Sequence, residues 1–244
     1  MPITLSGTTA NLLTIVKDAT QRMGLSIPTA VAGSADPQIL QFLGLLNEEG
    51  KELTQRTNWT ALDFEATFTT TAVELQGLLS TIAPGLKFII NDTIYNRTLR
   101  RPVFGPLGAQ LWQQRKAMFL TGPWNQFRIR SDQILFDPAP TVGQSCFFEY
   151  SGITWVTNAA GTLHSDVFQA DTDVPLLDKD ILTLGLIWRW KRSKGIKFTA
   201  DQQQHEIAVL NAIGRDGSQP TLSMGGGYDD ILPGVFVPAG SWSL

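Results

Sequence analysis

The chain has 244 residues, 43% hydrophobic and 17% charged, with 19 Lys plus Arg against 22 Asp plus Glu and a formal net charge of −3. That apolar fraction supports a packed core and argues against wholesale disorder, while the slight acidity argues against a dedicated nucleic-acid binder, which carries a basic surplus. A charged fraction below the ~25% of ordinary domains, with seven Trp and thirteen Phe, leaves apolar surface for partners and points to an obligate assembly.

The single cysteine, Cys146, rules out an internal disulfide and fits a reducing compartment, though it is equally compatible with secretion. Residues Met1 to Gly7 have neither a positive region nor a long apolar stretch, so no signal peptide is expected. The longest apolar run, Ile181 to Trp188, is far short of a membrane span.

Residues 1–58 read as helical. Leu12, Ile15, Val16, Ala19 and Met23 recur at three- and four-residue spacing, and Gly24 stands where a helix end wants a left-handed residue. Asp36-Pro37 is a start signal, because Asp caps orphan N–H groups and Pro suits the first helical position. Ile39, Phe42, Leu43, Leu46 and Leu53 carry this second helix to about Arg56.

Residues 59–173 alternate apolar and polar side chains between Gly and Pro breaks, which predicts β structure. One hairpin can be set in register: a two-residue turn at Ser131-Asp132 pairs Ile129 with Ile134 and Phe127 with Phe136, all four on one apolar face. A third strand, Ser145 to Tyr150, places Cys146, Phe148 and Tyr150 together, and the three strands read as a meander. A short helix is expected near Gly108 to Arg115.

Residues 174–215 return to helix. Leu177, Ile181, Leu184 and Trp188 form a stripe that Gly195 ends. Thr199-Ala200-Asp201-Gln202 has a capping-box pattern, and the helix after it carries Ile207, Leu210 and Ile213 as its expected core face. Residues 216–244 hold many Gly and Pro, almost no charge, and the apolar Tyr228, Ile231, Leu232, Phe236 and Trp242. Such a segment is expected to be extended and docked as an arm, since free tails are polar. The predicted architecture is therefore α+β. Helices of residues 1–58 and 174–215 form a four-helix bundle, residues 59–173 are a large antiparallel β-rich insertion, and 216–244 form the C-terminal arm.

Chemical signals are sparse. Gly225-Gly226-Gly227 lacks the Lys and the strand-to-helix setting of a phosphate loop. His164 and His205 stand alone, His205 reading as a surface residue; no zinc site, cofactor or catalytic constellation is expected. Glu48, Glu49 and Glu52 share a helix face and read as a solvated run neutralised by Lys51 and Arg56. Arg189, Lys191, Arg192, Lys194 and Lys197 are the densest basic run. With Trp188 and Trp190 interleaved they suggest a stacking and phosphate surface; the plainer reading is a basic helix end with Trp188 in the core and Trp190 at an interface. Arg97, Arg100 and Arg101 form a smaller cluster.

Three stretches together resemble the head-to-tail adaptors of short-tailed bacteriophages, the tail accessory factors and tail tubular proteins. They are Leu45 to Leu53 leading into Asn58-Trp59-Thr60-Ala61-Leu62; Phe127 to Pro140 followed by Phe147 to Ser151; and Pro175-Leu176-Leu177-Asp178 with Leu182 to Lys191 and Gly195. The likeness spans roughly residues 36–217. It implies a non-enzymatic structural protein of the virion. Such a protein forms a homo-oligomeric ring, usually twelve-fold, below the portal, extends the DNA channel and carries the next tail component or nozzle. It implies action in genome packaging and ejection, at the head–tail interface of the virion, with assembly in the host cytoplasm and no membrane contact. The basic run then becomes a candidate DNA-channel or interface surface. The acidic balance suits a wall that double-stranded DNA passes without being retarded. Two other readings compete: a virion-borne peptidoglycan-degrading enzyme using Glu48 and Glu52, and a tail-tip receptor-binding β domain. The first is weakened because carboxylates four apart on one helix point the same way and do not flank a bond.

Overall fold

A computed structural model describes residues 10–118 and 124–216, and within them most helix ends fall where local capping chemistry puts them. The helices are α1 (Leu12–Arg22), α2 (Pro37–Arg56), the single turn α3 (Leu79–Ile82), α4 (Ala109–Met118), α5 (Lys179–Ser193) and α6 (Thr199–Arg215). The Asp36 carboxylate accepts from Gln38 N at 2.9 Å with Pro37 at the first position, and Asp178 caps α5 by accepting from Asp180 N. Gly24 and Gly195, at φ +69° and +68°, take the left-handed conformation past the ends of α1 and α5. The capping box before α6 does not form; Asp201 binds Lys191 Nζ instead.

The α5 helix is the centre of the helical layer. Nine of its residues, including Trp188 and Trp190, are buried, and it packs against α1, α2 and α6. A helix apolar on nearly every side is stable only where other elements surround it. Trp190 thus lies inside, tilted against Phe42 at 6.2 Å, rather than at an interface. For α6 the expected core face holds only at Ile213, which is partly buried against the helical core. His205, Val209 and Ala212 are buried, while Ile207 and Leu210 are 60% and 65% exposed. The polar His205 takes the inward position because its partner, Glu49, is inside, and this turns the larger aliphatic side chains outward.

The strands are β1 (Asp63–Thr69), β2 (Leu75–Leu78), β3 (Leu86–Ile89), β4 (Tyr95–Asn96), β5 (Arg101–Pro102), β6 (Gln126–Arg130), β7 (Gln133–Asp137), β8 (Ser145–Gly152), β9 (Val156–Thr157), β10 (His164–Ser165) and β11 (Val174–Pro175). They form antiparallel sheets in the orders β1-β8-β4-β5, with β3 also on β8, then β2-β7-β6, and β10-β9-β11. The β6–β7 hairpin has the expected register, Ile129 opposite Ile134 and Phe127 opposite Phe136. Its turn holds Ser131 and Asp132 at φ +48° and +64°, the geometry that matches strand twist. Phe127, Ile134 and Phe136 are buried, but Ile129 is 37% exposed at the open end of the face.

The meander is not found. β2 already occupies the free side of β7, pairing Leu75 with Leu135, and the loop through Pro138 and Pro140 carries the chain to the facing sheet. There β8 becomes the central strand, with Cys146, Phe148 and Tyr150 turned inward as expected. Phe68 of β1 meets both layers, its ring 5.8 Å from Phe136 and 6.2 Å from Phe148.

Two apolar cores result. One gathers the inward faces of the helices with Trp59, Leu62, Trp155, Val156 and Phe168; the other lies between the first two sheets. Residues after β8 therefore pack with the helices. Trp155 Nε1 donates to Asp166 O at 2.8 Å, and its indole presses against Gly50 of α2, where a Cβ would sit 2.1 Å from Cζ2. Gly50→Ala should accordingly lose about 1–3 kcal/mol, the usual cost of overpacking. Gly44→Ala, on the same helix with nothing within 4 Å of the new Cβ, should gain about 0.5–1 kcal/mol from helix propensity. Urea denaturation of the two variants measures the contrast.

Candidate functional site

The densest polar constellation lies between α2, α5 and α6. Gly185, one turn before Arg189 on α5, has no side chain, and a Cβ there would stand 2.5 Å from Glu49 Cδ. The missing side chain lets the Glu49 carboxylate reach the α5 backbone. Arg189 then spreads its guanidinium over two turns of α2: Nε donates to Glu49 Oε2 at 2.5 Å, one terminal nitrogen to Glu48 at 2.6 Å and the other to Glu52. Glu52 also accepts from Arg56, and Arg56 donates to both oxygens of Glu206 on α6, at 2.6 and 2.9 Å. From the same helix, His205 Nε2 lies 2.8 Å from Glu49 Oε1. That contact has ion-pair distance but not hydrogen-bond alignment, so Glu49 Oε1 and both ring nitrogens are buried without a hydrogen-bond partner.

Burial is extreme at the centre and slight at the rim. The side chains of His205, Glu49 and Arg189 are 0%, 1% and 5% exposed, that of Glu48 63%. Burial alone pulls the Arg189 pKa down, but the hydrogen bond to Glu49 and the charges of its neighbours outweigh it, and the net shift is upward. For Glu52, burial pushes upward and the bonds to Arg56 and Arg189 prevail, so its carboxyl titrates below the usual range. Arg56 also holds Glu206 below that range.

These positions revise three expectations. Glu49 is not on a solvated face, because its carboxylate meets Arg189 and His205 inside. His205 is a core residue, not a surface one. Arg189 is not available as a channel or interface contact, since its guanidinium is spent on three carboxylates. Glu48 and Glu52 are tied to one guanidinium rather than arranged around a cleft. The signal that marks Arg189 in the sequence is its place within the apolar run Ile181 to Trp190: a cation there must be buried, and a buried cation must be paired.

The rest of the basic run divides. Lys191 is bound to Asp201 at 2.7 and 2.8 Å. Arg192, Lys194 and Lys197 are exposed around the turn between α5 and α6, with the Arg192 guanidinium 6.0 Å from the Trp188 ring. In the β region, Arg97 pairs with Glu65 of its own chain and covers the Phe147 ring at 3.5 Å, while Arg101 lies 5.4 Å from Trp124. His164 is exposed and its ring lies tilted against Phe64 at 4.9 Å. The arm residues Tyr228, Ile231, Leu232, Phe236 and Trp242 lie outside the described residues.

Two shallow apolar hollows are present. One of about 250 Å³ is lined by Leu107, Leu111, Met118 and Arg115, and one of about 370 Å³ by Leu86, Phe88, Phe127 and Ile129 among others. Neither brings an acid, a base and a nucleophile together. Among the described residues no group of three or more His, Cys, Asp or Glu side chains is placed to hold a metal ion, and no helix is long and apolar enough to cross a membrane. No family model matches the chain, and no curated protein matches it.

Two predictions follow from the network. Arg189→Met strands Glu49 in the core and should cost about 3–5 kcal/mol; pairing it with Glu49→Leu should return part of that loss, giving a coupling energy in a double-mutant cycle by urea denaturation. The second concerns acid. Glu52 and Glu206 have lowered folded-state pKa values, so their contribution is complete above the unfolded value of 4.5 and is lost as the pH falls through the lowered ones. Arg56→Gln should therefore flatten the fall in stability below pH 4.5, and an acid limb as steep as the wild type's would contradict the assignment.

Proposed function

We propose that the chain is a structural virion protein, a head-to-tail adaptor that forms a ring below the portal, extends the DNA channel and offers the platform for the next tail component. The observation that carries this reading is the order of its elements. A long helix, α2, ends just before Trp59 and the β region, a tight hairpin and a central strand follow, and the chain then returns to two helices, α5 and α6. Those elements fall on the stretches that resemble the adaptors. In this reading α1, α2, α5 and α6 act as one four-helix bundle, the β region is its large insertion and residues 216–244 are an arm that meets a partner.

Surface chemistry supports assembly rather than catalysis. Ile207 and Leu210 project from α6, and Phe104, Leu111, Met118 and Trp124 stand 44–58% exposed in the β region. These large exposed side chains on a low-charge chain are the ones available for contacts with copies of itself and with portal. Arg192, Lys194 and Lys197 are the cations of the basic run that remain for a DNA backbone or a neighbouring subunit, with Arg189 and Lys191 already engaged. Contact with DNA here is without sequence preference, because phosphate contacts position and do not specify.

Electron microscopy of the purified chain, alone and mixed with portal rings, tests the proposal. The expected outcome is small species alone and annuli seated on portal in the mixture, since the lateral surfaces are ordered on the portal template. A chain that neither forms annuli nor sediments with portal would overturn the reading.

A further inference from the structure

The first sheet ends on an open edge. β1 pairs with β8 along its whole length, from Asp63 opposite Ser151 to Thr69 opposite Ser145. Among the described residues no strand other than β8 pairs with β1, and apart from the turn bond of Asp63 N to Thr60 O its other side has no backbone partner. The outward backbone groups of this seven-residue strand are a template for another strand, and folded proteins rarely leave such an edge bare. The inward side chains of β1 are also incompletely covered: Phe64 and Phe68 pack on the core but stay half-buried.

The chain leaves the described fold beside this edge. The Asp216 carboxylate, directly after α6, accepts from Thr60 N at 2.9 Å and Thr60 Oγ1 at 2.6 Å. Thr60 lies three residues before Asp63, the first residue of β1. Within residues 217–244 the piece Val235-Phe236-Val237 combines two β-branched residues with an aromatic one and is closed on both sides by Pro233 and Pro238. The only charges of that segment, Asp229 and Asp230, fall outside this piece, which matters because β1 carries Asp63 and Glu65. From Asp216 to Gly234 the chain can reach roughly 60 Å, against about 23 Å for the length of β1.

We propose that Gly234 to Val237 of the same chain add as a strand to the free edge of β1. Phe236 turns inward beside Phe64 and Phe68, and Val235 and Val237 turn outward on the side of Thr67. The tether keeps this piece at an effective concentration near the millimolar range, which favours the chain's own edge over that of a second copy. The rest of the arm, with Tyr228, Ile231, Leu232 and Trp242, stays available to a partner, and the inference holds whether or not the chain is an adaptor.

Disulfide trapping in the full-length chain tests it. Thr67→Cys is combined in turn with Val235→Cys, Phe236→Cys and Val237→Cys, and each variant is oxidised at low protein concentration. Cys146 does not compete, because it is fully buried and burial pushes its thiol up to about 12. A link within one chain, seen as a fast-migrating monomer on a non-reducing gel and located by mass spectrometry, is expected with Val235→Cys or Val237→Cys, and a link through Phe236→Cys alone would overturn the proposal. Adding Phe236→Asp to a Val235 or Val237 variant that links should cut the yield about tenfold, the loss that burying one Phe accounts for. No link in any variant, links only between chains, or a yield unchanged by Phe236→Asp would overturn the proposal.

Discussion

Arg189 and Glu49 are the constraint around which the helical layer is arranged. A guanidinium and a carboxylate removed from water carry a desolvation cost that only a close and well-bonded pair offsets. Here the pair joins α5 to α2, and His205 extends it to α6. Sliding α5 by one turn would leave both charges without partners, which costs more than the packing differences between neighbouring helix registers. Gly185 and Gly50 express the same tight approach in the sequence, one making room for Glu49 and the other for Trp155. The outward aliphatic face of α6 follows as well, because His205 must face Glu49 and so Ile207 and Leu210 must face away.

The parts of the fold that were legible in the sequence are those decided by chemistry within a few residues. Asp36-Pro37, Gly24 and Gly195 mark helix ends because capping is local. The β6–β7 register follows from a two-residue turn and side-chain parity. What stayed hidden depends on residues far apart in the chain. Nothing near Ser145 says that β8 leaves β7 and becomes the middle of another sheet; that follows from β2 having taken the place. Nothing near Glu49 says that it is buried, since its partner stands 140 residues away. Periodicity also missed most of the inward face of α6 for a definable reason: it assumes that the most apolar face is the buried one, and the buried contact of His205 with Glu49 reverses that rule.

The two cores are tied at few points, and these decide how the β region is held. Phe64, at the start of β1, packs against both clusters. Lys87 Nζ on β3 donates to Thr54 O at 2.8 Å and to Asn58 Oδ1 at 3.3 Å, reaching the end of α2. Trp59 Nε1 donates back to Leu53 O at 2.8 Å, which fixes the direction in which the chain leaves α2 for β1. The β region is therefore held through the end of α2 and the start of β1, the same corner to which Asp216 is bonded. The central strand β8 carries β1 on one side and β3 and β4 on the other, so a force applied to the β region reaches the helices through β8 and β1. That corner is the place where movement of the β region is felt by the helices. A strand added to the open edge of β1 would stiffen it, because pairing one more segment along β1 removes the freedom of a strand that is held on one side alone.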